Sequence, residues 1–253
     1  MCLVVFAWRA TPRQRLVLIA NRDELHARPT APAHWWPGTR LLAGRDLEAG
    51  GTWLGVDDRG RFAAITNFRG GPAPPAPPSR GSLIPSFLSG RRSPAEFLSE
   101  LVANAASYAG FSLLVADEQS LGYYCNRSPE PPRLLAPGLY GLSNATLDAP
   151  WPKLVRSRDR LAAALDGAPE SLLGLLADRA TAPDQELPDT GVGLELERRL
   201  SAPFILDPHY GTRSTTALLL DGAGRGAFTE RSFAPDGGEL ATLRFELPAP
   251  RRD

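Results

Sequence analysis

A cysteine directly behind the first methionine, Met1-Cys2, is the earliest residue of this 253-residue chain whose type and place could do chemistry. A small second residue permits removal of the methionine, and Cys2 would then carry both a thiol and a free α-amine. A thiol attacks only as thiolate and needs a base beside it. An α-amine has a reference pKa of about 7.7–8.0, so it can be that base at neutral pH. One residue would then supply nucleophile and base. A second polar group follows in LIANRDELHARPT, where Asn21, Arg22, Asp23 and Glu24 come straight after five apolar residues. Strand parity puts Asn21 and Asp23 on one face and Arg22 on the other, so only part of the tetrad can face Cys2. A carboxylate there would hold an α-ammonium, and an arginine would favour the thiolate. Beside a free α-amine and Arg22 or Arg213, the Cys2 thiol is expected below its usual value of about 8.5.

These residues need elements to position them. Cys2 to Trp8 and Leu16 to Ala20 are apolar and β-rich across a polar turn holding Thr11 and Pro12. They read as a hairpin that returns the tetrad to the Cys2 end. Pro29, Pro32 and Pro37 exclude a helix in the next stretch. Thr52 to Val56 and Phe62 to Asn67 read as strands on either side of the turn Asp57 to Gly60, with Asp57 and Asp58 solvated. Gly70 to Gly81 holds five prolines and reads as an exposed, semi-rigid loop. Ser93-Pro94-Ala95-Glu96 is a capping box that opens a helix over Pro94 to Ser107. Strands are expected at Phe111 to Ala116 and Leu121 to Cys125, and helices at Pro152 to Leu165 and Ser171 to Ala180. Strands return at Thr215 to Leu220, Gly226 to Phe233 and Leu240 to Leu247. Strands at both ends, helices between and no long linker predict one α+β domain over residues 1–253, two stacked sheets flanked by helices.

Composition narrows the partners. The chain carries 28 basic and 28 acidic residues, so no net field draws it to nucleic acid or an anionic membrane. No apolar run approaches the roughly 18 residues of a membrane span, and no stable membrane insertion is expected. MCLVVFAW lacks a basic lead, and Arg9, Arg13 and Arg15 interrupt any signal-like core. Two cysteines make no disulfide scaffold, and a cytoplasmic location is expected. His26, His34 and His209 show no zinc spacing, and no glycine-rich phosphate loop occurs, so neither metal nor cofactor is expected. Lys153 is the single lysine, and the many arginines read as a compositional bias. Cys125 ends a strand and reads as buried and inert.

The blocks MCLVVFAW, ANRDE with RPT, GGTWLGV, TNFR, GLSNATLDAPWPKL and YGTRSTT together resemble the NRDE family, that of transport and Golgi organisation protein 2. The resemblance runs from Cys2 to about Glu230. That family is similar to N-terminal nucleophile hydrolases of the choloylglycine hydrolase and penicillin acylase group. The resemblance therefore implies a four-layer αββα sandwich with Cys2 at the end of a central strand. It also implies catalytic roles for Cys2 as nucleophile, Asp23 as the carboxylate that holds the α-amine, Arg22 near the thiol, and Asn144 and Asn67 as oxyanion donors. In the amidase group the arginine and aspartate stand two residues apart, whereas here Arg22 and Asp23 are adjacent. Arg213, Asn21 and Trp53 are expected on the substrate side.

Two functions remain open at this point. One is a cysteine N-terminal nucleophile amidohydrolase or acyltransferase acting on a small acyl amide or a related ester or thioester. The other is a non-catalytic carrier of an apolar anionic ligand, haem or acyl-CoA, as the family's links to haem trafficking and lipid metabolism imply. A structural or secretion-related partner ranks below both, because nothing in the chain reads as an interaction helix or anchor.

Overall fold

The computed structural model describes residues 2–247. The chain opens with β1 (Cys2–Trp8) and β2 (Leu16–Leu25), an antiparallel hairpin in which Cys2 lies opposite Arg22. There follow β3 (Thr30–Trp35), β4 (Leu41–Asp46), β5 (Leu54–Asp57), β6 (Phe62–Asn67), β7 (Phe111–Ala116), β8 (Leu121–Cys125), β9 (Arg133–Leu134) and β10 (Gly138–Leu142). Two helices, α1 (Leu83–Leu88) and α2 (Pro94–Val102), interrupt this series after β6. The helices α3 (Pro152–Ala162), α4 (Pro169–Leu173) and α5 (Leu194–Arg199) precede the last strands, β11 (Tyr210–Leu220), β12 (Gly226–Phe233) and β13 (Glu239–Leu247).

Among the described residues the strands form two antiparallel sheets. The first runs β10-β1-β2-β11-β12-β13 and the second β3-β4-β5-β6-β7-β8-β9. Side-chain alternation sorts the apolar residues into three layers of core. Val4, Phe6, Leu16 and Leu18 of the first sheet meet Phe62, Leu114 and Leu121 of the second. On the outer face of the second sheet, Ala63, Leu113 and Val115 pack on Ile84, Phe87, Phe97 and Leu98 of α1 and α2. On the outer face of the first sheet, Leu3, Val5 and Ile19 pack on Leu154, Leu161 and Leu172 of α3 and α4. The order is helix, sheet, sheet, helix: the αββα sandwich. β1 is an interior strand of its sheet, and Cys2 is its first residue.

Several boundaries differ from the sequence expectation. The capping box at Ser93 and Glu96 is formed, but α2 stops at Val102 and resumes only as a 3-10 turn over Ala105–Ser107. α3 ends at Ala162, and the expected helix at 171–180 is α4 plus one 3-10 turn over Gly174–Leu176. β3 forms despite Pro32 because it lies at the sheet edge, and its pairing with β4 shifts register between Ala31 and His34. Asp57 is not solvated. It is fully buried, accepts the backbone N–H groups of Arg59 and Arg61 at 2.9 Å each, and pairs with the Arg59 guanidinium at 2.7 Å. Among the described residues no helix is long and apolar enough to cross a membrane.

Candidate active site

The hairpin sets the centre of the site. Cys2 and Arg22 are direct cross-strand partners on the face toward the second sheet, so the guanidinium and thiol share one side of the strand pair. Both line a cavity of about 690 Å³ at the strand ends, together with Asp23, Glu24, Arg28, Trp53, Asn67, Arg80 and Tyr210. Arg22 is buried, its guanidinium lying 4.3 Å from the Trp53 ring centroid, and it donates to Thr30 Oγ1 at 3.1 Å. Gly44 makes room for this stack, since a Cβ at that position would come within 2.4 Å of the Trp53 ring.

Asp23 lies on the opposite strand face, toward the helices, as parity requires. A bulge in β11 completes its setting. The pairing with β2 shifts between Thr212 and Ser214, which leaves Arg213 unmatched and turns Thr212 onto the Asp23 face. Thr212 Oγ1 donates to Asp23 Oδ1 at 2.7 Å, and Tyr210 Oη donates to the Asp23 carbonyl at 3.0 Å. Burial pushes the Asp23 carboxyl up, and Lys153, the Thr212 hydrogen bond and Arg22 pull it back.

The asparagines divide their work. Asn144 is fully buried and is not part of the cavity wall; its Nδ2 donates to Asn67 Oδ1 at 2.9 Å and to the Asn67 carbonyl at 3.1 Å. Its amide is spent on Asn67, so Asn144 holds the other asparagine rather than facing a ligand. Asn67, with Oδ1 turned to Asn144, is the amide in the cavity wall. Ser143 Oγ donates to the Cys2 carbonyl at 3.1 Å, and Thr66 Oγ1 donates to the Ser143 carbonyl at 2.6 Å. The segment after β10 thus ties the start of β1 to the end of β6.

Two other expected residues lie elsewhere. Asn21 points to the helix layer, donating to the carbonyls of Leu176 and Pro203 and accepting from Thr215 Oγ1 at 2.6 Å. Arg213, the bulge residue, donates to the carbonyls of Leu25, His26 and Arg28, where it latches the β2–β3 turn. It lines a separate cavity of about 250 Å³ on the far side of the Arg22–Trp53 stack. Burial is the largest influence on Cys2 and pushes it up, with Arg22 opposing only in part.

Arg80 was not legible as a site residue. It ends the proline-rich stretch read as an exposed loop, yet Pro77, Pro78 and Arg80 form one wall of the cavity. The loop is seated by backbone contact: Thr52 N donates to the Gly81 carbonyl at 3.2 Å, and a Cβ on Gly51 would sit 2.5 Å from the Gly81 backbone. The Gly50-Gly51 pair stands in the sequence, but its contact with Gly81 is made only in the fold. Lys153 was missed too, although a single lysine in an arginine-rich chain is a compositional signal. Among the described residues no cluster of His, Cys, Asp or Glu could hold a metal ion.

The sequence profile described as Transport and Golgi organisation 2 matches residues 1–235. The chain belongs to that family. The Transport and Golgi organization protein 2 homolog of Bos taurus is 35% identical over 274 residues, covering 98% of this chain and 99% of that one. The Homo sapiens homolog is 34% identical over 256 residues, covering 92% and 93%. These names of Transport and Golgi organisation 2 relatives state no reaction. A solved structure, the Caenorhabditis elegans N-acylethanolamine-hydrolyzing acid amidase ortholog, is similar at 11% identity and a TM-score of 0.48, over 86% of this chain and 92% of that one. Membership of the Transport and Golgi organisation 2 family rests on the sequence matches.

Proposed function

We propose that the protein is a cysteine N-terminal nucleophile hydrolase or acyltransferase that opens a small acyl amide, ester or thioester. The observation that supports this best is the seating of Cys2 at the start of an interior strand, in a cavity of about 690 Å³ that also presents Arg22, Asp23 and Asn67. With Met1 removed, the Cys2 α-amine takes the thiol proton and the thiolate adds to the substrate carbonyl. Asn67 Nδ2 meets the oxyanion, with Asn144 fixing the amide's orientation. The carbonyl re-forms as the leaving amine or alcohol departs with the proton from the α-ammonium. Water, or an acceptor, then attacks the acyl-cysteine with the α-amine again as base, which releases the acid or transferred acyl group and restores the thiol. Asp23 anchors the α-ammonium throughout. A thiol pushed up by burial fits this scheme, because the proton then leaves only when the adjacent amine takes it.

The test combines intact mass with turnover. The processed protein is expected to lack Met1 by mass and to release product from a panel of acyl amides and thioesters, with Cys2→Ser losing nearly all turnover while binding persists. Retention of Met1 in most molecules, or equal turnover by Cys2→Ser, would overturn the proposal.

One observation favours a carrier as the second reading. Three arginines line the cavity, and Arg80, half-buried, has no carboxylate partner among the described residues; its Nη1 donates only to the Gly110 carbonyl at 2.8 Å. A guanidinium without an ion-pair partner in a largely polar cavity wall suits a ligand with a carboxylate or phosphate, such as haem or acyl-CoA. Saturable binding of either, lost in Arg80→Ala and indifferent to Cys2→Ser, with no product from the amide panel, would favour this reading.

A further inference from the structure

Where α3 begins, two buried cations share one small cavity. Lys153, the second residue of the helix, is 1% exposed, and Arg69, just beyond the end of β6, is 6% exposed. With Trp151, Pro152, Glu197 and Leu200 they enclose about 10 Å³, the room of one water-sized occupant. Lys153 Nζ and Arg69 Nε and Nη2 have no hydrogen-bond partner among the described residues. Buried donors cost free energy unless an acceptor meets them, and charged donors cost the most. Burial pushes Lys153 down to about 8, so it still holds its proton at neutral pH.

The acceptor side chains that line this cavity are already engaged. Glu197 accepts from Arg69 Nη1 at 2.5 Å, from Thr190 N at 3.0 Å and from Thr190 Oγ1 at 2.5 Å. Ser201 Oγ donates to the Arg198 carbonyl at 2.7 Å and accepts from Ala182 N at 2.8 Å. Two cations therefore face one carboxylate across the cavity. Asp23 also acts on Lys153, but it does not line this space. A water accepts from two donors and needs acceptors for its own two protons. A halide ion accepts from all three donors, asks for no acceptor in return and cancels the surplus charge. Trp151 and Pro152 also bring the positive end of an 11-residue helix to the same point.

We propose that Lys153 and Arg69 form a buried binding site for one small monovalent anion, chloride in ordinary salt. The size of the cavity excludes phosphate, sulfate and organic carboxylates. The site braces its neighbours through Arg69. That guanidinium lies 4.5 Å from the Trp151 ring centroid, and the Arg69 backbone N–H donates to the Asn144 carbonyl at 2.7 Å. A bound anion thus ties the end of β6 to α3 and to the segment after β10. Nothing in it depends on the reaction proposed for Cys2.

Thermal melts of the full-length protein test the site, at pH 7 and constant ionic strength, with sodium chloride exchanged stepwise for sodium gluconate. Gluconate is too large for the cavity. The melting temperature is expected to rise by about 3–5 °C for each tenfold increase in chloride above its Kd. In Lys153→Met that rise is expected to vanish. Equal melting temperatures in the two salts, or an undiminished chloride rise in Lys153→Met, would overturn the proposal. Crystals of the wild-type protein grown in sodium bromide give a readout that needs no variant. An anomalous bromide peak between Lys153 Nζ and the Arg69 guanidinium is expected. A water at that position, or bromide at the surface as an adventitious ion only, would also overturn it.

Discussion

Cys2 sits between opposing influences: burial holds its proton on, and Arg22 draws it off. Burial is the larger, so iodoacetamide labelling of the folded chain is expected to rise with a midpoint above the usual thiol value of about 8.5. A midpoint below that value would mean that Arg22 outweighs burial. The two asparagines separate by role. Asn67→Ala is expected to cost about 10²–10³ in turnover at nearly unchanged folding, as removal of an oxyanion donor does. Asn144→Ala is expected to lower turnover and also stability, by about 1–3 kcal/mol, because it removes a fully buried amide and both hydrogen bonds it donates to Asn67. Equal melting temperatures for the two variants would contradict this division. Strand parity alone separated Arg22 from Asn21 and Asp23. It could not reveal that Asn144 meets Asn67, since the two stand 77 residues apart and join only once β6 and the segment after β10 lie side by side.

At the scale of elements, β1, β2, β5 to β8 and β11 to β13 were legible because each carries an apolar run closed by turn residues, whereas β3, β4 and β9 were not read as strands. β10 was not, since its sequence GLYGL pairs two glycines with few β-formers and takes its place from its neighbour β1. The proline-rich loop was legible as a loop and illegible as a wall, because Arg80 is set by a backbone contact between two distant glycines. Gly51→Ala tests that contact. The added methyl cannot fit 2.5 Å from the Gly81 backbone, so the loop and Arg80 must shift. The variant is expected to melt lower and, for an anionic ligand or substrate, to show a several-fold weaker Kd or higher KM. Gly174→Ala, with nothing within 4 Å of the added atom, is the control and should leave both unchanged. Equal behaviour of the two variants would separate Arg80 from the turn.

Across the whole molecule, the sheets are joined by more than apolar packing. Glu230 of β12 is buried and accepts the backbone N–H of Ala33 in β3 at 2.7 Å, linking one sheet to the other. Burial pushes its carboxyl up, with the Ala33 hydrogen bond and Arg22 opposing. A carboxyl raised on folding stabilises fully below its unfolded value of about 4.3, and that contribution is lost as pH rises through the folded value. Glu230→Gln keeps the acceptor without the charge. Relative to wild type it is expected to gain melting temperature toward pH 7, with the difference closing below about pH 4. A gap that widens in acid would reverse the sign. The seclusion of Lys153 also fixes what the exterior offers to chemistry. With the chain's one ε-amine sealed beneath α3, succinimidyl esters and glutaraldehyde have no lysine side chain to attack on the folded surface. Covalent capture of a partner, or tethering of this protein to a support through its side chains, must instead go through its arginines or carboxylates, with glyoxal or carbodiimide reagents.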